Sequence, residues 1–251
     1  MIRTPSLAAA AVVALAGGPG AAGASGAVCR DMDHGGLSFA VCEVRAGEDL
    51  RLWLNGPDGR PVGTFARLRE LAAAEGRRVV FAMNAGMYHP DLSPVGLFVA
   101  GGTELSPIVT AAGSGNFGMR PNGVFCITAE GFGVIESRAF KADRPDCGFA
   151  SQSGPMLVID GELHPRFLKE SSSRHVRNGV GVSPDGRTAW FAISATPVTF
   201  WEFASLFRDG LGSADALYFD GSVSRLYSAE LGREDFGFPM GPIVGLLEPA
   251  G

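Results

Sequence analysis

Val79-Val80-Phe81-Ala82-Met83-Asn84-Ala85-Gly86 is a run of five apolar residues closed by an asparagine and, two places on, a glycine. Ala216-Leu217-Tyr218-Phe219-Asp220-Gly221-Ser222 repeats the arrangement with an aspartate at the end. A short apolar run bounded by turn chemistry reads as a buried strand. The polar residue that closes it must emerge where partners or water exist, because an unpaired amide or carboxylate is costly to bury. The adjacent glycine lets the backbone turn or lets another group approach the main chain. Gln152-Ser153-Gly154-Pro155 and Arg177-Asn178-Gly179 are two further clusters of this kind. Gathered at one rim, such strand ends make a pocket; scattered, they are turns, and the residues alone leave both readings open.

Outward from these stretches the chain reads mostly as strands. Leu37–Val41 and Leu50–Leu54 alternate inward and outward residues. Asn55-Gly56, Asp58-Gly59, Asp160-Gly161 and Asp185-Gly186 are turn dipeptides, which gives Asp160 and Asp185 structural roles. One helix is expected over 65–75, where Phe65, Leu68, Leu71 and Ala72 share a face before Gly76. A second is expected from Phe200, with Phe203, Ala204 and Phe207 at helical spacing and Gly210 as terminator. No long linker or repeat interrupts the pattern. The expectation is a single α+β domain with a large mixed or antiparallel β component and a few helices, spanning 28–251.

Residues 1–27 carry a different message. Arg3 precedes an apolar stretch from Leu7 to Ala16, followed by small residues around Ala22-Gly23-Ala24 and Ser25-Gly26-Ala27. This is the pattern of a secretory signal peptide. Gly17-Gly18-Pro19-Gly20 cuts the apolar run short of a spanning helix, so the mature chain is expected to be exported, periplasmic or secreted, with no integral membrane segment. Export permits disulfides, and Cys29, Cys42, Cys126 and Cys147 form an even set. Of the three pairings open to four cysteines, Cys29 with Cys42 and Cys126 with Cys147 is favoured because each closes a short loop between strands.

The 251 residues carry a formal net charge of -5, which argues against a nucleic-acid surface or a polybasic membrane patch as partner. There is no nucleotide-binding glycine loop, no paired-histidine zinc helix, no calcium loop and no nucleophile elbow. His34, His89, His164 and His175 are scattered, and only His89 falls in a polar cluster. No complete metal-ligand set is visible, although Asp220 with neighbouring carbonyls can offer oxygen ligands to a divalent cation.

Five stretches, taken together and in order, resemble the phosphodiester glycosidase family. They are Phe81–Tyr88, Arg120-Pro121-Asn122-Gly123-Val124-Phe125, Gln152–Val158, Arg177–Val182 and Ala216–Ser222. The resemblance is to the exported bacterial branch and runs from about Cys29 to Leu247. It implies a hydrolase acting on a carbohydrate or sugar-phosphate substrate. One departure stands out: where the family carries aspartate-glycine-glycine-glycine-serine, this chain has Asp220-Gly221-Ser222-Val223-Ser224.

Splitting an anomeric carbon from a phosphate oxygen passes through a cationic sugar and releases a phosphate monoester, already a good leaving group. Cationic donors for the phosphate and a carboxylate near the anomeric carbon can suffice. Asp220 and Arg177 are therefore the expected catalytic pair. Arg174, beside Arg177 and His175, is expected to add to a phosphate-binding cluster. Asn84, Asn122, Gln152, Ser153, Asn178, Ser222 and Arg225 are candidates to orient sugar hydroxyls or phosphate oxygens, and Tyr88 and His89 to contact the sugar. The rival readings are an envelope protein that binds a polysaccharide or phosphate-bearing polymer without cleaving it, and a hydrolase built on His89 and a serine.

Overall fold

The two apolar stretches that close on Asn84 and Asp220 are central strands. In the computed structural model, which describes residues 28–251 together with Met1, Arg77–Asn84 lies between Leu226–Ser228 and Ile243–Pro249. Asp215–Asp220 lies between Asn178–Val182 and Met156–Ile159. Both strands are covered on both faces, which is why their sequences are continuously apolar rather than alternating. The leader expected over 1–27 lies, Met1 apart, outside the described residues.

Among the described residues the strands form three sheets, and every pairing within them is antiparallel. The largest runs in the order Cys29–His34, Leu37–Arg45, Thr188–Ser194, Asn178–Val182, Asp215–Asp220, Met156–Ile159 and Glu162–Leu163. The second runs Arg233–Glu234, Leu226–Ser228, Arg77–Asn84, Ile243–Pro249 and Asp49–Trp53. The third runs Thr103–Ser106, Phe98–Ala100, Phe149–Ser153, Gly123–Ile127 and Phe132–Glu136.

One cluster of phenylalanines joins all three sheets. Phe81 of the second sheet packs on Phe191 of the first at 5.4 Å between ring centroids. Phe125 of the third meets Phe191 edge-on at 5.6 Å and Phe219 at 6.4 Å. All four are buried, and each such side chain removed from water contributes about 1.5–3 kcal/mol. Helices close the outer faces. Phe65–Ala74 lays Phe65, Leu68 and Ala72 on the second sheet. Phe200–Ser205, capped by a Thr199–Glu202 capping box, lays Phe203 on the first. The missing side chain of Gly181 makes room for Phe207, one turn further on, since a Cβ there would come within 2.5 Å of the Phe207 ring. Ser137–Asp143 places Phe140 against the third sheet beside the Cys126–Cys147 disulfide.

The α+β domain with a large antiparallel component is thus the observed architecture, and the disulfides are Cys29–Cys42 and Cys126–Cys147. The helix expected over 65–75 ends at Ala74, with Gly76 at positive φ just beyond it. The second helix ends at Gly210 as expected, but its last turn, Leu206–Gly210, widens into a π-helical turn before the chain leaves through Leu211. Asp160 and Gly161 both have positive φ and turn the hairpin between Met156–Ile159 and Glu162–Leu163. Among the described residues no helix is long and apolar enough to cross a membrane.

Candidate functional site

Three polar strand ends meet where the first two sheets adjoin. Asn178 opens its strand opposite Asp220 in the ladder, and Ile243 brings Asn84 alongside through the second sheet. The side chains of Asn84 and Asn178 are fully buried and pair amide to amide. Asn84 Nδ2 donates to Asn178 Oδ1 at 3.1 Å, and Asn178 Nδ2 donates to Asn84 Oδ1 at 3.1 Å and to the Asn84 carbonyl at 2.8 Å. Their oxygens also hold the loop that follows Asp220. Asn178 Oδ1 accepts from Asp220 N at 3.2 Å, and Asn84 Oδ1 accepts from Arg225 N at 3.0 Å. Ser224 Oγ donates to the carbonyls of Asp220 and Val176, at 2.8 and 3.0 Å. Both ends of the Asp220–Arg225 loop are therefore clamped.

Arg177 precedes Asn178 by one residue and turns the other way, under the seven-stranded sheet. Its side chain is 0 % exposed. The guanidinium carbon sits 3.6 Å from the centroid of Phe200 and 5.4 Å from that of Tyr218. Nε donates to the Val198 carbonyl at 2.9 Å and Nη2 to the Ser173 carbonyl at 3.2 Å, whereas Nη1 is buried without a hydrogen-bond partner. No carboxylate lies within 4 Å among the described residues. Burial lowers the pKa of the guanidinium, with Tyr218 opposing, yet a group with so high an intrinsic pKa stays a cation. Tyr218 is held between Phe200, edge-on at 4.8 Å, and the Arg177 and Asn116 side chains. Burial raises its phenol pKa, as does the nearby Asp220 charge, while Arg177 works against both.

Asp220 lies at the mouth of this arrangement, partly buried. Its Oδ1 accepts from Gly221 N at 2.6 Å and Ser222 N at 2.8 Å. Burial pushes its pKa above the ordinary aspartate value, against the pull of the backbone N–H groups of Ser222, Gly221 and Val223. No arginine, lysine or histidine pairs with it within 4 Å among the described residues. Burial, and then the Asp220 charge, raise the Tyr88 phenol, while Arg225, at the far end of the Asp220 loop, opposes. Among the described residues no group of three or more His, Cys, Asp or Glu side chains gathers in one place.

The other candidates are placed differently. Gln152 is buried with both ends used: Oε1 accepts from Leu97 N and Val109 N, and Nε2 donates to the Val109 carbonyl and Ser137 Oγ. Ser153 Oγ donates to the Phe219 carbonyl, tying the third sheet to the Asp220 strand. Asn122 Nδ2 donates to the Phe117 carbonyl, next to the Asn116 that faces Tyr218. Arg174 does not join Arg177. It is exposed and spends its charge on Glu202 at 2.6 Å. His89 is exposed in a turn closed by Leu92 N on its carbonyl. The Ser222 side chain is exposed, and Val223 packs against the cluster under the Phe65–Ala74 helix, so that part of the departure from the glycine motif is absorbed by core. Tyr218, Phe200, Asn116 and Ser224 were hidden in sequence: the first two sit in apolar runs, and nothing in their spacing separates a wall of the site from core.

The family model described as phosphodiester glycosidase matches residues 77–236. The uncharacterized protein YigE of Escherichia coli K12 is 34% identical over 180 residues, which is 72% of this chain and 70% of YigE. Among solved structures, the catalytic domain of zebrafish N-acetylglucosamine-1-phosphodiester alpha-N-acetylglucosaminidase, auto-inhibited by its pro-peptide, superposes with a TM-score of 0.57 at 15% identity. That match covers 87% of this chain and 81% of that one. A Burkholderia pseudomallei protein matches with a TM-score of 0.50 at 13% identity over 84% of this chain and 74% of its own. The matched segment contains Asn84, Arg177, Asn178, Tyr218 and Asp220, and the chain belongs to the phosphodiester glycosidase family.

Proposed function

We propose that the protein is an exported hydrolase that cleaves the bond between the anomeric carbon and a phosphate oxygen in a sugar-1-phosphodiester of a glycan or envelope component. The observation that carries this reading is a pair of opposite charges that do not neutralise each other. Arg177 is buried without a carboxylate and with Nη1 unsatisfied, and Asp220 is partly buried without a cation, with Tyr218 sensing both. Leaving buried charges unpaired costs several kcal/mol each. A ligand that is anionic at one point and becomes cationic at another relieves both costs, and relieves the second only as the transition state forms.

In this reading the phosphate is held in the field of the Arg177 cation, which is buried behind Phe200 and Tyr218 and acts on the ligand through that wall rather than by direct contact. Asp220 faces the anomeric carbon, where positive charge grows as the C–O bond breaks and its electron pair leaves with the phosphate. Water adds to the anomeric carbon, and Asp220, a stronger base than an ordinary aspartate because of its burial, accepts the proton. The products are the free sugar and a phosphate monoester. Export rests on the leader pattern and on two disulfides, which persist in oxidising compartments.

The test is sugar release from a panel of sugar-1-phosphodiesters by the purified mature chain. Arg177→Lys keeps the charge but loses the planar stack on Phe200 and the fork of donors, and is expected to lower kcat/KM by roughly 100-fold. Activity that survives both this change and Asp220→Asn would remove the two residues from the chemistry. Saturable binding of the same diesters with no bond cleavage would favour the noncatalytic reading.

A further inference from the structure

The segment Phe236-Gly237-Phe238-Pro239 carries two of the most exposed large apolar side chains among the described residues, Phe236 and Phe238, each 83 % exposed. Exposed aromatics this close together on a secreted surface usually have a partner. The loop is also fixed to the candidate site. Arg225 Nη1 donates to the Phe238 carbonyl, and Tyr88 Oη donates to the Pro239 carbonyl at 3.4 Å. Gly237 has no side chain where the Arg225 guanidinium lies, since a Cβ there would come within 2.2 Å of Nη2. Gly241 likewise leaves room for Tyr88, whose Cβ would be 2.6 Å from a side chain at 241. Arg225 ends the loop that begins at Asp220 and is held there by Asn84 Oδ1, so the two phenylalanines are tied to the clamped loop of the candidate site. Beside Phe236, a recess of about 170 Å³ is lined by Thr64, Phe65, Arg225, Asp235, Phe236 and Met240.

We infer that this loop is a subsite for a sugar ring of the substrate beyond the scissile bond. The inference rests on the reading of Asp220 and Arg177 as a sugar-phosphodiester site and adds the class of group on its outer side. A pyranose ring has an apolar face of C–H groups and a rim of hydroxyls. Aromatic faces take the first, and the polar groups of Arg225, Asp235 and Thr64 are at hand for the second. A membrane surface fits less well. Of the cations beside the loop, Arg69 is paired with Glu234 at 3.2 Å and Arg233 with Asp235 at 2.7 Å, which leaves Arg225, bonded to the Phe238 carbonyl, as a single charge rather than a basic patch. Anionic headgroups need free cationic charge, and the chain has a net charge of -5.

The experiment compares the full mature chain with Phe236→Ala/Phe238→Ala, both residues lying outside the catalytic machinery. Binding is followed by calorimetry with neutral tetrasaccharides of glucose and of N-acetylglucosamine, which contain no phosphodiester, so the result does not depend on hydrolysis. The expected result is saturable binding of at least one, weakened roughly five- to tenfold in the double variant and restored by Phe236→Tyr/Phe238→Tyr. Equal binding by both proteins, or binding of neither tetrasaccharide, overturns the subsite. Co-sedimentation of the wild type with phosphatidylglycerol–phosphatidylethanolamine vesicles, lost in the double variant, replaces it with a membrane contact. A parallel assay on a methyl sugar-1-phosphodiester, too short to reach the loop, separates the two readings. Unchanged turnover there keeps the hydrolase whatever the fate of the subsite.

Discussion

Gly221→Ala probes whether Asp220 is held by the wall behind it. A Cβ at 221 would lie 2.1 Å from the Tyr218 hydroxyl oxygen, 3.3 Å from Tyr218 Cζ and 3.4 Å from His175 Cβ, where ordinary contact begins only at 3.4 Å. Neither side can give way freely. Tyr218 is buried and wedged against Phe200, and Gly221 N is bonded to Asp220 Oδ1. Overpacking of this kind costs about 1–3 kcal/mol, which for a domain of this size lowers Tm by roughly 3–10 °C. The loop must also shift, and a displacement of about 1 Å at a reacting group can cost on the order of 100-fold in rate. The clash is almost wholly with the hydroxyl, so Tyr218→Phe should relieve it. Alone, Tyr218→Phe removes a hydroxyl that makes no direct hydrogen bond among the described residues, and should change stability by less than about 1 kcal/mol. Combined with Gly221→Ala it should recover about 1–2 kcal/mol relative to additivity. Urea denaturation of the four proteins in the cycle measures this coupling, and sugar release measures the loop. Additive stabilities, or a Gly221→Ala protein with wild-type Tm, would refute the placement of Tyr218 against the loop.

The remaining predictions concern charge and buried amides. The folded pKa of Asp220 is raised by burial, so between the ordinary aspartate value and the raised one the native state holds more protons than the unfolded chain. Stability contributed by this group therefore falls as pH rises through that window. Asp220→Asn, which keeps the Oδ1 acceptor for Gly221 and Ser222, should raise Tm at pH 7, with the gain vanishing once pH drops below the ordinary aspartate range. The same variant should abolish sugar release, and the wild-type kcat/KM should fall on the acid side as Asp220 takes up its proton; a loss of Tm at pH 7 would contradict the burial argument. Gln152→Leu strands Leu97 N, Val109 N, the Val109 carbonyl and Ser137 Oγ, and should cost about 2–4 kcal/mol in denaturant unfolding. A near-neutral result would show that these groups find other partners.

How much of this could be read from the chain depended on whether the physics was local. The strands around Phe81 and Phe219, the Asp160-Gly161 hairpin and the Phe65–Ala74 helix follow from periodicity and turn chemistry within a few residues. Both disulfides join cysteines that are neighbours in sequence order, Cys29–Cys42 across one hairpin and Cys126–Cys147 across a strand and a helix, and were legible from that order. Division into three sheets was not legible, because it depends on long-range pairings such as Arg77–Asn84 with Ile243–Pro249. The polar strand ends were found as a class but not sorted. Asn84 and Gln152 look alike in sequence, yet one clamps the Asp220 loop and the other is spent on Leu97 and Val109. Arg174 and Arg177 differ as sharply, one paired at the surface and the other buried, because Phe200 and Tyr218 arrive from distant segments to make the slot for only one of them.

The sorting has a physical logic in which neutral groups do the holding and charges are left over. Apart from the Asp220 carboxylate itself, the groups that clamp its loop are uncharged: two asparagine side chains, one serine hydroxyl and backbone amides. A carboxylate at 84 or 178 could accept from Asp220 N or Arg225 N as well as an amide does. It would also set a second negative charge beside Asp220 and drive the carboxyl towards its neutral form, as like charges in one site do. An arginine or lysine in the clamp would have the opposite effect and quench Asp220 before any substrate arrived. On the other side, Arg177 is positioned by two carbonyls, a phenol and a phenyl ring rather than by an acid. Dipoles and aromatic faces orient these groups without cancelling them, so each retains its field for a ligand that carries the complementary charge. An ion pair between Asp220 and Arg177 would make the fold more comfortable and the site inert, and Tyr218, standing between them, is the side chain that keeps the two apart.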